Sequence, residues 1–440
     1  LSIFHDSYAS SDSRDPCHAL CESWQTAKKS QPTLRKTFSP FGLPAIEQEA
    51  ANQGLVLADH LQIRAKWILC VGEKLGYSAP MQIKTSVFLL VVALGACKQP
   101  EPKKEADAKP QDENRVQAPS FDPAQARALF KALPERFDAS AQAPSSALVD
   151  LERTLFYEAR LSKNHDVSCN SCHDLSKFGV DGMPTSKGHK GQLGGRNSPT
   201  VYHAAGHFVQ FWDGRAQDVE EQAKGPVLNP VEMAAPSEAH VVSVLSSIPE
   251  YVTAFKAAFP ADADPVTYDN MAKAIGAFER GLVAPSPFDD FLKGDDKALS
   301  DAQKAGLNTF MQTGCTACHN GVLVGGSMYQ KLGAVKPYAG NRDEGRFDVT
   351  KAESDRLMFK VPSLRNVEKT APYFHDGKIP DLKTAVKTMA DIQLGRQLSD
   401  ADADAIVAFL GSLTGRIDEK YIAKPTLPPS TDKTPKPDPS

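Results

Sequence analysis

The sequence has little net charge. Fifty lysines and arginines stand against 54 aspartates and glutamates, for a formal charge of −4. No basic run forms a phosphate-binding patch, so nothing points to nucleic acid. No apolar run is long enough to cross a bilayer. Strand-like alternation is scarce, and no acidic loop of the helix–loop–helix calcium type occurs. What remains is a largely helical globular chain of 440 residues, with room for two or three cored domains. Its 41% hydrophobic and 24% charged residues are ordinary for such a chain.

One stretch breaks that pattern. In "MQIKTSVFLLVVALGACKQP", Lys84 supplies a positive start and an apolar run begins at Val87. Gly95 and Ala96 then precede Cys97. That is the layout of a secretory signal. It resembles the bacterial lipoprotein signal, whose final cysteine, here Cys97, is acylated. Such signals stand at an N-terminus, so residues 81–97 read as the signal and 1–80 as lying upstream of the true start, with no fold assigned. The "CHALC" at 17–21 has the wrong spacing for cofactor attachment and reads as chance. Residues 98–120 are charged and contain Pro, as in a flexible linker. Residues 417–440 form a Pro-rich tail, expected to be disordered or polyproline-like.

The body between reads as mostly helical. "LSDAQKAGLNTFMQTG" opens on a capping box of Ser300 and Gln303 and stops at Gly314. Met271, Ile275, Phe278 and Leu282 share one helical face, and Ile406, Leu410 and Leu413 another, behind a Ser399 cap. The loops are long and rich in Gly and Pro. An internal repeat is also present. Each half leads a helix into C-x-x-C-H and later shows F-x-D-G-[RK], in "FWDGRAQDV" from Phe211 and "FHDGKIPDL" from Phe374. This predicts a duplicated domain, 121–290 and 291–416, with one cofactor in each half.

The two motifs are Cys169-Asn170-Ser171-Cys172-His173 and Cys315-Thr316-Ala317-Cys318-His319. Both have the spacing of covalent c-type haem attachment. Thiols one helical turn apart reach the two vinyl groups of one porphyrin, and the adjacent histidine lies beneath the iron. A disulfide is the alternative, as is a zinc half-site, which would need two more ligands close by. After the first motif comes "FGVDGMPTSKGHKGQLGGRNSPTV", which supplies another histidine, His189, among Gly179, Gly182, Gly188, Gly191, Gly194 and Gly195. Glycines permit backbone angles that other residues resist.

That block, with "FWDGRAQDVEEQAKGPVLNPVEM", "VPSLRNVEKTAPYFHDG" and "AVKTMADIQLG", resembles the bacterial di-haem cytochrome c peroxidases over roughly residues 120–415. The resemblance implies a mainly α fold of two cytochrome c-like haem domains with an inter-domain calcium site. His173 would be the proximal ligand of a peroxide-reducing haem. His189 would be its distal ligand at rest, withdrawn on a mobile loop when the other haem is reduced. His203 and His207 are competitors outside the family block. Glu232 would be the catalytic carboxylate and Gln222 its companion amide. The second haem, on His319, would take Met389 as distal ligand, a pairing that raises the potential; Met358 and Met328 are rivals. Trp212 would stand between the haems. Asn197 by its side chain, with Thr370 and Pro372 by their carbonyls, would bind calcium.

The implied activity is reduction of hydrogen peroxide to water, with electrons from a small monohaem cytochrome c or a blue-copper protein. The expected cofactors are two covalent haems c and Ca2+. The expected location is the periplasm, with membrane contact only through a lipid anchor, and dimerisation is common in the family. Two rivals stand beside this. A di-haem oxidase of a protein substrate would carry tyrosine in place of Met389. A non-enzymatic electron carrier would not need Glu232, Gln222 or the His189 loop.

Overall fold

The computed structural model describes residues 121–137 and 145–440. The upstream segment 1–80, the signal 81–97 with Cys97, and the linker 98–120 lie outside the described residues.

Five helices build the first core: α1 (Ser146–Phe156), α2 (Val219–Leu228), α3 (Glu238–Ser246), α4 (Pro249–Ala258) and α5 (Tyr268–Arg280). Four of them start on a side chain that accepts a hydrogen bond from the first turn: Ser145, Asp218, Ser237 and Thr267. Met271, Ile275 and Phe278 of α5 are fully buried, as their spacing predicts. Leu151, Leu155, Val241, Leu245 and Phe255 close around that helix.

The second core is built on α6 (Asp301–Thr313), α7 (Leu382–Leu394) and α8 (Asp400–Gly411). The capping box of Ser300 and Gln303 is present, and α6 ends at Gly314 with φ +97°. Ile406, Leu410 and Leu413 are buried. Helices α6 and α8 touch backbone to backbone. A Cβ on Gly306 would lie 1.9 Å from the Ala405 carbonyl oxygen, so no other residue fits there. The one sheet among the described residues is a two-stranded antiparallel pair, β1 (Tyr329–Lys331) and β2 (Met358–Lys360), with Tyr329 opposite Lys360.

The cores cross the boundaries read from sequence. Phe130 and Phe288, assigned to the first domain, pack with Phe291, Phe310 and Phe409 of the second. Arg365 and Asp289, both buried, pair at 2.9 Å across the same junction, and Asp289 also accepts from the Leu133 amide. The tail corrects the expectation of disorder. Tyr421 and Ile422 join Phe156, Tyr202 and Phe278. Thr431 donates to the Ser247 carbonyl, and the Asp438 amide donates to the Lys163 carbonyl. Proline content restricts a local conformation but does not prevent docking on a distant partner surface.

Candidate functional site

Each C-x-x-C-H motif opens on its own cavity, one in each half. The first motif is a single turn, Cys169–Cys172, closed by a reciprocal Ser168–Ser171 capping box. The second follows directly from Gly314. Both histidines are anchored alike. His173 Nδ1 lies 3.3 Å from the Gly179 carbonyl oxygen, and His319 Nδ1 lies 3.3 Å from that of Val324. A carbonyl only accepts, so the proton sits on Nδ1 and the Nε2 lone pair is left for a metal. Burial lowers the pKa of both, His319 to about 4, which keeps the rings neutral and ligating.

The four motif cysteines are free thiols, which removes the disulfide alternative. Burial pushes Cys169 up to about 12 and Cys315 up to about 11. A zinc site needs thiolates and further ligands. No group of three or more His, Cys, Asp or Glu suited to a metal ion occurs among the described residues. The cavities are instead lined largely by apolar side chains, Val227, Met233 and Ile275 in the first and Phe310, Val386 and Ile406 in the second. An apolar slot edged by two thiols and a neutral imidazole fits a covalently held porphyrin.

The structure brings most of the predicted residues to these cavities. Glu232 and Gln222 line the first, with His173. Glu232 Oε1 accepts from Asn229 Nδ2 at 2.9 Å. Burial raises the pKa of this carboxyl, while Arg215 and the Asn229 hydrogen bond pull it partly back. Met389 lines the second cavity with His319, and neither Met328 nor Met358 does. Trp212 lines both, its indole N–H donating to the Asn197 carbonyl at 2.9 Å. His203 is fully buried and its Nε2 accepts from the Ala284 amide, a structural role. His207 reaches neither cavity.

His189 is not among the residues lining the first cavity. It is buried beside that cavity, its amide donating to the Glu232 carbonyl at 2.7 Å and its ring Nε2 lying 3.4 Å from the Ser440 carbonyl oxygen. The loop glycines serve two purposes. Gly179, Gly182 and Gly191 have positive φ. Gly188 does not; a Cβ there would lie 2.1 Å from the Val231 carbonyl oxygen, so its value is close approach to the segment that carries Glu232.

No hydrogen bond joins the predicted calcium ligands Asn197, Thr370 and Pro372 to one another among the described residues. Asn197 Nδ2 donates to the Met183 and Pro184 carbonyls at 3.0 and 3.3 Å, its Oδ1 accepts nothing, and the Thr370 hydroxyl donates to the Val367 carbonyl.

Sequence reasoning missed Arg215 and Asn229. The Arg215 guanidinium stacks 3.4 Å over the Phe211 ring, pairs with Asp213 at 3.0 Å and lines the first cavity. The repeat was a usable signal, since Arg215 occupies the [RK] position of F-x-D-G-[RK]. Asn229 stands three residues before Glu232, a spacing that suits a local side-chain hydrogen bond.

Comparison with known proteins agrees with this geometry. Residues 146–297 match the family described as di-haem cytochrome c peroxidase, and residues 303–414 match cytochrome c. A cytochrome c551 peroxidase of Pseudomonas aeruginosa is 51% identical over 319 residues, covering 71% of this chain and 91% of the relative. One from Nitrosomonas europaea is 49% identical over 294 residues, covering 66% and 86%. The crystal structure of a MauG-like protein associated with microbial copper homeostasis superposes with a TM-score of 0.59 at 28% identity, covering 67% of this chain and 96% of that one. With a haem-attachment motif at each of two cavities and close relatives named as peroxidases, the chain belongs to the di-haem cytochrome c peroxidase family and is a cytochrome c peroxidase.

Proposed function

We propose that peroxide is reduced in the first cavity with electrons that arrive through the second. The observation that carries this is the company of His173: Glu232 and Gln222 share its cavity, while His189 is held outside. When bound, the haem supplies the redox-active iron at which the O–O bond is cleaved. Glu232, in its ionised form, takes the proton from the near oxygen of peroxide and returns it to the departing one. Gln222 orients peroxide by hydrogen bonding. Trp212 bridges the two cavities as a packed, polarisable path. Met389 and His319, which line the second cavity, would hold the iron of the electron-receiving haem.

His189 acts as a gate. Seated on the Glu232 backbone and the Ser440 carbonyl, it leaves the cavity free for peroxide. Swung inward, its ring would hold the iron of the first haem and close the site to peroxide. The donor is a small monohaem cytochrome c or a blue-copper protein. Asn197, Thr370 and Pro372 bind Ca2+ between the halves, and Asn197 Oδ1 has no competing donor. The enzyme works in the periplasm as a homodimer, acylated at Cys97 and tethered through 98–120. Among the described residues, no helix is long and apolar enough to cross a membrane.

The test is the oxidised His189→Ala protein. It retains two haems, is high-spin at one of them and turns over peroxide without prior reduction. A variant that stays fully low-spin, or that still needs reduction, removes the gate.

A further inference from the structure

Lys360 is a cation without a partner in a place where none is expected. It ends β2, is 6% exposed and lines the second cavity. Its amide donates to the Trp212 carbonyl at 2.8 Å, which places it at the junction of the two cavities. Its ammonium makes no hydrogen bond or ion pair among the described residues. The neighbouring acids are already committed. Asp213, next to that tryptophan, pairs with Arg196 and Arg215, and Asp343 pairs with Arg196. Burial alone acts on Lys360 and drags its pKa down to about 8, with no acid to oppose it. A buried ammonium is retained when an anion comes to it.

The second cavity is where that anion would come from. A c-type haem carries two propionate carboxylates. We infer that Lys360 is the counter-ion of a propionate of the second haem and sets that haem as the higher-potential one. This rests on the reading that a haem fills the second cavity. The charge argument is direct. A bare propionate is a negative charge that favours the more positive, oxidised iron; a cation paired with it cancels that charge and so favours electron uptake. The first cavity has no such cation, because Arg196 and Arg215 are both held by Asp213, and it adds the Glu232 carboxyl to its wall. The asymmetry has the sign required for electrons to be collected at the second site. Lys360 is thus a positioning residue that acts through the cofactor and not on peroxide.

The experiment compares wild type, Lys360→Met and Lys360→Arg as intact holoproteins. Haem content is measured as the pyridine haemochrome, and both midpoints by optical redox titration. All three proteins should hold two haems. In Lys360→Met the reduction equilibrium of the higher-potential haem should weaken about tenfold, 59 mV for one electron, while the lower midpoint moves much less. Lys360→Arg should restore most of the shift. If Lys360→Met does not accumulate, Lys360→Gln keeps a polar head without the charge and is held to the same outcome. An unchanged higher midpoint with both haems attached overturns the assignment. A single haem in wild type overturns the two-haem reading beneath it.

Discussion

Replacing Glu232 by glutamine removes the proton-accepting carboxylate and its charge and keeps the shape. The side chain keeps its length and can still accept from Asn229, which lies 2.9 Å from the carboxylate. A positioned carboxyl that moves a proton between two oxygens is worth roughly 10²–10⁴ in rate. At 1.36 kcal/mol per decade that is about 3–5 kcal/mol of barrier. The assay is kcat/KM for peroxide with reduced cytochrome c, alongside spectra of both haems. We expect a loss of at least about 100-fold with unaltered spectra. The pH profile supplies a second check. The working form is ionised, and burial raises the Glu232 pKa, so the acidic limb lies above the ordinary glutamate value of about 4.3. Arg215 and Asn229 lower that pKa, so Asn229→Ala and Arg215→Ala should each move the limb upward. A Glu232→Gln loss smaller than about tenfold, with both haems in place, refutes the assigned role. A limb that moves downward in Asn229→Ala refutes the electrostatics.

Two further outcomes test other parts of the structure. Gly188→Ala places a Cβ 2.1 Å from the Val231 carbonyl oxygen and denies the loop its seat. The half-reduced variant should keep more of its first haem low-spin and start turnover more slowly, and a wild-type spectrum would show that the seat does not matter. Glu152 is fully buried, both oxygens lack partners among the described residues, and burial raises its pKa to about 9. A carboxyl raised in the folded state binds more protons there than in the unfolded chain. Stability is therefore lost as pH climbs from about 4.5 toward 9, by up to about 1.4 kcal/mol per pH unit. Glu152→Gln removes that slope, so its advantage over wild type in urea unfolding should grow from pH 5 to pH 8. A pH-independent difference refutes it.

Much of the helical body was legible because its signals are local. The Ser300–Gln303 box, Gly314 and the α5 stripe all act within a few residues of themselves. The tail was not legible. Its prolines describe a backbone preference, whereas its docking depends on Ser247 and Lys163, far away in sequence. Packing across the boundary between the halves was hidden for the same reason: Phe130 looks like any helix-flanking aromatic until Phe288 and Phe409 are beside it. Gly188 could be flagged as special, but its purpose, room for the Val231 carbonyl, could not.

From sequence alone came the two covalent attachment motifs, the duplication, the helix caps and, through resemblance, the peroxidase family. A five-residue spacing contains its own chemistry and needs no partner to be read. Tertiary structure alone decided that Met389 rather than Met328 or Met358 reaches the second cavity. It also decided that Trp212 borders both cavities, that His189 rests outside the first, and that Lys360 is buried without an acid. Each of those facts depends on residues distant in the chain meeting across a packed core, where burial and the absence of a counter-charge arise from the assembled surroundings.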